Sequence, residues 1–111
     1  MIDLLDLAAE LVDVPSESHQ ETALADLFES RLHSASHLAV HRLGDNVVAR
    51  SEQGREHRIV IAGHLDTVPA NNNQGARIEG DRLYGLGACD MKGGLAAQLA
   101  TALAVNESAV D

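Results

Sequence analysis

Tryptophan is absent from these 111 residues, and phenylalanine, tyrosine and cysteine occur once each. The missing aromatics remove the side chains that bury the most area per residue, so any core must be built from Leu, Ala, Val and Ile, and low stability is expected of this piece by itself. The single cysteine, Cys89, excludes an internal disulfide and suits a reducing compartment. Basic residues are scarce, 8 against 17 acidic ones for a formal net charge of −9. That balance repels phosphate backbones and argues against a nucleic-acid partner. Long apolar runs are missing as well: Asp3 and Asp6 interrupt the first one. No stretch reaches bilayer length and no basic–apolar–small leader is apparent, so a cytoplasmic location without membrane contact is expected. The length allows one domain.

What is present begins with helical periodicity. Leu4, Leu7, Ala8, Leu11 and Val12 recur at helical spacing, with Asp3 placed to cap the start and Pro15 to end the segment. Ser18-His19-Gln20-Glu21 has the capping-box pattern, and Leu24, Leu27, Phe28 and Leu32 then form one apolar face. From Leu38 the period changes. Leu38–Leu43 and Val47–Arg50 are expected as short strands joined at Gly44-Asp45. Ser51–His57 is a loop, and Arg58–Gly63 is a compact apolar run expected as a buried strand. Arg77–Tyr84 suits a hairpin around Gly80-Asp81, and Leu95, Leu99, Ala102 and Leu103 mark a third helix. The order indicates an α/β fold, a sheet layered with helices.

Two motifs carry chemistry. Gly63-His64-Leu65-Asp66-Thr67-Val68-Pro69 follows the apolar run, beyond the carboxyl end of the expected strand, where α/β proteins place ligand-contacting groups. His64 is a suitable zinc or cobalt ligand, and Asp66, two residues on, leaves the same face of an extended segment and can accept the other ring N–H. Alone, the pair is a weak signal, and a His and an Asp in a surface turn is the commoner explanation. The second motif is Leu83-Tyr84-Gly85-Leu86-Gly87-Ala88-Cys89-Asp90-Met91-Lys92-Gly93-Gly94. Asp90 is either an ordinary helix cap or a carboxylate bridging two cations, and spacing does not separate these. A dinucleotide site is excluded because Asp90 stands where the third glycine is required; a P-loop is excluded by the order of Lys92-Gly93.

In order and spacing the two motifs together resemble the M20 family of dinuclear zinc peptidases and deacylases, over about Ile59–Leu103, and the preceding helices fit the family's amino-terminal part. With its short Ala70–Gly80 loop, the chain looks most like the succinyl-diaminopimelate desuccinylases of the actinobacterial type. The resemblance implies an M20-type catalytic domain, a mixed sheet with flanking helices, of which residues 1–111 would be the amino-terminal portion. A dimerisation domain and the rest of the catalytic domain would lie elsewhere. It implies two zinc or cobalt ions per complete site, with His64 ligating one, Asp90 bridging both and Asp66 orienting His64. It also implies a cis Asp90–Met91 peptide, an acylated amino-acid substrate, a homodimer as the full-length protein, and a glutamate general base beyond residue 111. The 111 residues alone are then expected to be inactive, to bind zinc weakly and to expose apolar faces.

Two alternatives stand beside a desuccinylase. Another deacylase or carboxypeptidase of the same family would share His64, Asp66 and Asp90. A non-catalytic binding module would instead be a well-folded product with a defined partner. Of the remaining residues, His33 and His37 stand four apart but near a helix end, and are expected to be solvent-exposed with His19, His41 and His57. Cys89 suits a nucleophile less well than its neighbours suit metal chemistry, and Lys92 either positions the turn or is exposed.

Overall fold

The computed structural model describes residues 2–111. Three helices and two small antiparallel hairpins make up the fold. Helix α1 (Leu4–Asp13) starts where expected, with the Asp3 carboxylate accepting from the backbone N–H groups of Leu5 and Asp6. That relieves two of the free donors every helix start leaves open. It stops before Pro15, which disfavours helical geometry in the preceding residue.

Helix α2 spans Thr22–His33. The capping box expected at Ser18–Glu21 does not form. Glu21 is the cap position but makes no side-chain capping bond, and its carboxylate accepts instead from the His19 N–H. His19 adopts a φ of 72°, which turns the chain sharply. Ser18 is thereby directed away from the helix, toward Asp66.

Strands β1 (Ala39–Leu43) and β2 (Asn46–Arg50) pair antiparallel, with Leu43 opposite Asn46, so Gly44-Asp45 is the two-residue turn. Strands β3 (Arg77–Glu79) and β4 (Arg82–Tyr84) form the second hairpin, with Arg77 stacked on the Tyr84 ring. Helix α3 (Gly93–Ala104) closes the core. Leu7, Leu11, Leu24, Phe28, Leu32, Leu95 and Leu99 interlock there, from all three helices. Leu and Ala dominate, as the aromatic-poor composition requires.

One element departs from expectation. Arg58–Gly63 forms no strand, and among the described residues no mixed sheet exists: each sheet has two antiparallel strands. A strand needs a neighbour for its backbone groups and its side chains, and among the described residues only the Asp111 backbone bonds beside it, at Arg58. What holds it are bonds at its ends. Ile59 N–H donates to the Asp111 carbonyl, Asp111 N–H to the His57 carbonyl, and the Gln98 side-chain amide to the Ala62 carbonyl. Ile59, Val60 and Ile61 are exposed, which accords with the expected bare apolar face.

Candidate functional site

The segment after the apolar run is clamped by the link between α1 and α2. Thr67 N–H donates to the Ser16 carbonyl, Ser18 N–H to the Thr67 carbonyl, and the buried Ser16 hydroxyl to the Leu65 carbonyl at 2.7 Å. Glu17 and Thr67 thus form a short parallel bridge. Residues Leu65–Thr67 are fixed, and His64 with them, although no strand precedes it.

The second motif approaches from the opposite side. Gly85 and Gly87 have φ of 149° and 81°. A Cβ on Gly85 would lie 2.5 Å from the Gly75 carbonyl oxygen, and one on Gly87 would lie 2.8 Å from the Thr67 methyl. Only glycine permits that approach. The turn Ala88–Lys92 then interrupts helical geometry at Asp90 and Met91, whose peptide bond is cis, as the family resemblance implied. Asp90 is therefore not an ordinary helix cap: its carboxylate projects from an irregular turn, 85% exposed.

His64 and Asp90 meet. His64 Nε2 lies 2.9 Å from Asp90 Oδ1, while Nδ1 lies 3.0 Å from the Asp66 carbonyl and 3.2 Å from Asp66 Oδ1. The Asp66 carbonyl, and then the Asp90 carboxylate, hold the imidazole pKa above the ordinary histidine value. The Ser18 hydroxyl, followed by the charge of His64, holds the Asp66 carboxyl below the ordinary carboxylate value. The three groups border an open cleft of about 470 Å³, with Tyr84 and Ser18 also on its wall.

Sequence gives Ser18 no place here, and it leaves Lys92 between positioning the turn and lying exposed. Lys92 is buried at 2% exposure and its ammonium donates to the Val14 carbonyl at 2.7 Å. Burial pushes its pKa down. Its stem lies against Gly87, so it ties the end of α1 to the glycine turn. An unusual lysine in a glycine-rich turn was a visible signal; the capping-box pattern concealed Ser18. Of the other histidines, His19, His41 and His57 are exposed as expected. His33 is exposed and pairs with Glu29 across one helical turn. His37 corrects its expectation, being half-buried with Nε2 bonded to the Ala102 carbonyl near the end of α3. Cys89 is free and exposed.

A ring nitrogen and a carboxylate oxygen facing each other, with the second ring nitrogen held by another aspartate, is the donor chemistry zinc and cobalt take. The set is partial: among the described residues no group of three or more His, Cys, Asp or Glu side chains converges to hold an ion.

Residues 60–111 match the sequence profile of Peptidase family M20/M25/M40. A Mycobacterium tuberculosis protein carrying a provisional succinyl-diaminopimelate desuccinylase name is 44% identical over 110 residues, 98% of this chain and 31% of that protein. The chain is similar to the M20 peptidase family. A Corynebacterium glutamicum succinyl-diaminopimelate desuccinylase is 43% identical over 101 residues, 89% of this chain and 27% of its own length. One from Beijerinckia indica is 37% identical over 123 residues, covering 96% and 32%. The chain spans about a third of the length of these relatives. Among the described residues no helix is long and apolar enough to cross a membrane.

Proposed function

We propose that this chain supplies the amino-terminal portion of an M20 catalytic domain, and with it the His64–Asp66–Asp90 part of a metal-dependent amide hydrolase. The observation that carries this is the bracketing of one imidazole by two aspartates, Asp66 on Nδ1 and Asp90 on Nε2. His64 Nε2 and the Asp90 carboxylate are the groups that would hold zinc or cobalt. When bound, such ions supply Lewis acidity toward an amide carbonyl and an activated water.

The chain's own residues prepare that site. Asp66 takes up the Nδ1 side of the ring, with its backbone carbonyl at 3.0 Å and its carboxylate at 3.2 Å, which would leave Nε2 for a metal held with Asp90 and raise its basicity. The Gly85–Gly87 turn brings Asp90 against His64 without a side chain in the way. The open cleft beside them admits a linear acylated amino acid. The substrate class that the relatives' names support is a succinyl-diaminopimelate. Our reading takes it as N-succinyl-LL-2,6-diaminopimelate, hydrolysed to succinate and LL-diaminopimelate in lysine biosynthesis, and takes the whole protein as a cytoplasmic homodimer. The general base, a glutamate in the family, and the remaining metal ligands come from residues outside these 111.

A chimera tests this directly. Residues 1–111 replace the matching segment of the Corynebacterium glutamicum desuccinylase, and turnover is compared on succinylated, acetylated and dipeptide substrates. Retained desuccinylase activity, lost to background in His64→Ala and Asp90→Ala versions, is the expected result. A folded chimera that prefers acetylated or dipeptide substrates would reject the substrate, and one indifferent to His64→Ala would reject the site.

A further inference from the structure

The Asp111 backbone meets the apolar run in a specific pattern. Its N–H donates to the His57 carbonyl at 2.9 Å, and its carbonyl accepts from the Ile59 N–H at 2.7 Å. A residue that bonds the two neighbours of the residue opposite, here Arg58, is the repeating unit of a parallel ladder; an antiparallel pair exchanges both bonds between the same two residues. Parallel neighbours need a crossover of about a dozen residues or more, normally a helix. Helix α3 stands between the run and Asp111 in the chain, and it touches the run where the Gln98 side chain bonds the Ala62 carbonyl.

The Asp111 side chain locks this rung and is only 3% exposed. Oδ1 accepts from the Ser51 hydroxyl at 3.1 Å and the Gln53 N–H at 2.7 Å, and Oδ2 accepts from the Arg55 N–H at 2.8 Å. Three donors on one carboxylate fix where the backbone sits and the direction in which it runs. Past the rung the run is bare. Ile59, Val60 and Ile61 alternate between two faces, and all three are exposed. An extended run that is apolar on both faces is the kind a parallel sheet buries.

We propose that Asp111 is a latch: it sets the register in which the segment following it in the whole protein adds to Arg58–Gly63 as a parallel strand. The proposal rests on this chain being the amino-terminal portion of a longer enzyme. The first rung dictates the next two. The second residue after Asp111 donates to the Ile59 carbonyl and accepts from the Ile61 N–H; the fourth donates to the Ile61 carbonyl and accepts from the Gly63 N–H. The added strand is apolar on both of its faces, to match Ile59, Val60 and Ile61.

Hydrogen exchange at single-residue resolution tests this, comparing the 111-residue chain with its chimera with the remainder of the Corynebacterium glutamicum desuccinylase. The chimera is expected to slow the Ile61 amide by about tenfold or more, the protection one added backbone bond supports. Asp111→Ala in the chimera is expected to speed that amide again by about fivefold, with the Phe28 amide in the middle of α2 unchanged.

An Ile61 amide as fast in the chimera as in the 111-residue chain overturns the proposal, and so does slowing confined to Val60 and Ala62, which places the partner on the opposite edge. Phe28 sped as much as Ile61 by Asp111→Ala makes Asp111 a general stabiliser and overturns the latch. An Ile61 amide already slow in the 111-residue chain, and slower at higher concentration, makes a second copy the occupant and overturns it too. Should the chimera not fold, a Val-Thr-Val-Thr-Val extension after Asp111 is read the same way. Turnover separates this from the functional assignment. An inactive chimera with a slow, Asp111-dependent Ile61 rejects the hydrolase and supports the strand, and an active chimera with a fast Ile61 does the reverse.

Discussion

Leu11 and Leu24, on the first two helices, are wholly buried, whereas Ile59, Val60 and Ile61 are 64%, 80% and 61% exposed. The two regions are alike in apolar character and differ in what they need from neighbours. A helix satisfies its backbone internally and asks only for side-chain contacts, which α1, α2 and α3 give one another. An extended run requires another strand for both purposes, and among the described residues no strand pairs with Arg58–Gly63. His64 stands at the boundary between these regions. Its position is set by the Ser16–Thr67 clamp and the glycine turn, both braced against α1, rather than by the run that precedes it.

The largest expected difference lies in core truncation. Leu24→Ala removes a fully buried side chain from the three-helix contact and is expected to cost about 2–5 kcal/mol, enough to unfold a small domain. Ile61→Ala is expected to stay within about 0.5 kcal/mol, since its side chain has little to lose. Urea unfolding of both variants measures the contrast. Equal losses would mean that the apolar run is covered in solution, by self-association for example, and concentration dependence of the midpoint would reveal that.

Next in size is Lys92. Lys92→Met keeps most of the volume but deletes the bond to the Val14 carbonyl, and a hydrogen bond to a charged group contributes roughly 1.5–3 kcal/mol. Relief of the buried charge offsets part of this, so a loss of about 1–2 kcal/mol is expected in the same unfolding assay. A more stable variant would show that the charge is retained for the site at a cost to the fold. Asp3→Ala is smaller again, about 1 kcal/mol, because it deletes only the exposed cap of α1.

These differences also explain what could be seen in the sequence. Helices α1 and α3 and both hairpins were legible because apolar period, Asp3, and the Gly44-Asp45 and Gly80-Asp81 turns are local signals. The Arg58–Gly63 strand was misjudged because β structure is a property of pairs of segments, and composition reports only one of them. The Ser18–Glu21 pattern misled for a related reason. A serine hydroxyl serves whichever acceptor the backbone presents, and here a sharp turn at His19 presents Asp66, 48 residues away, rather than the start of α2. His64 and Asp90 could be nominated individually. That they meet at 2.9 Å depends on two glycines accepting close contacts that no spacing rule describes.

The smallest effect concerns pH, and it separates the two aspartates. His64 has a raised pKa in the fold, so its pairing contributes stability that is complete below the ordinary histidine value and is lost as pH rises through the raised one. Asp66 has a lowered pKa, so its contribution is complete above the ordinary carboxylate value and is lost as pH falls through the lowered one. Between these limits both charges are paired. The leading cause at His64 is the Asp66 carbonyl, followed by the Asp90 carboxylate, with the charge of Asp66 last. Asp66→Asn retains the carbonyl and is therefore expected to lower the His64 pKa less than Asp90→Asn does. Titration of the His64 ring protons by NMR in both variants checks the order. A larger fall in Asp66→Asn would mean that the carboxylate, not the backbone, holds Nδ1, and would make the Ser18 bond to that carboxylate the dominant control on the imidazole.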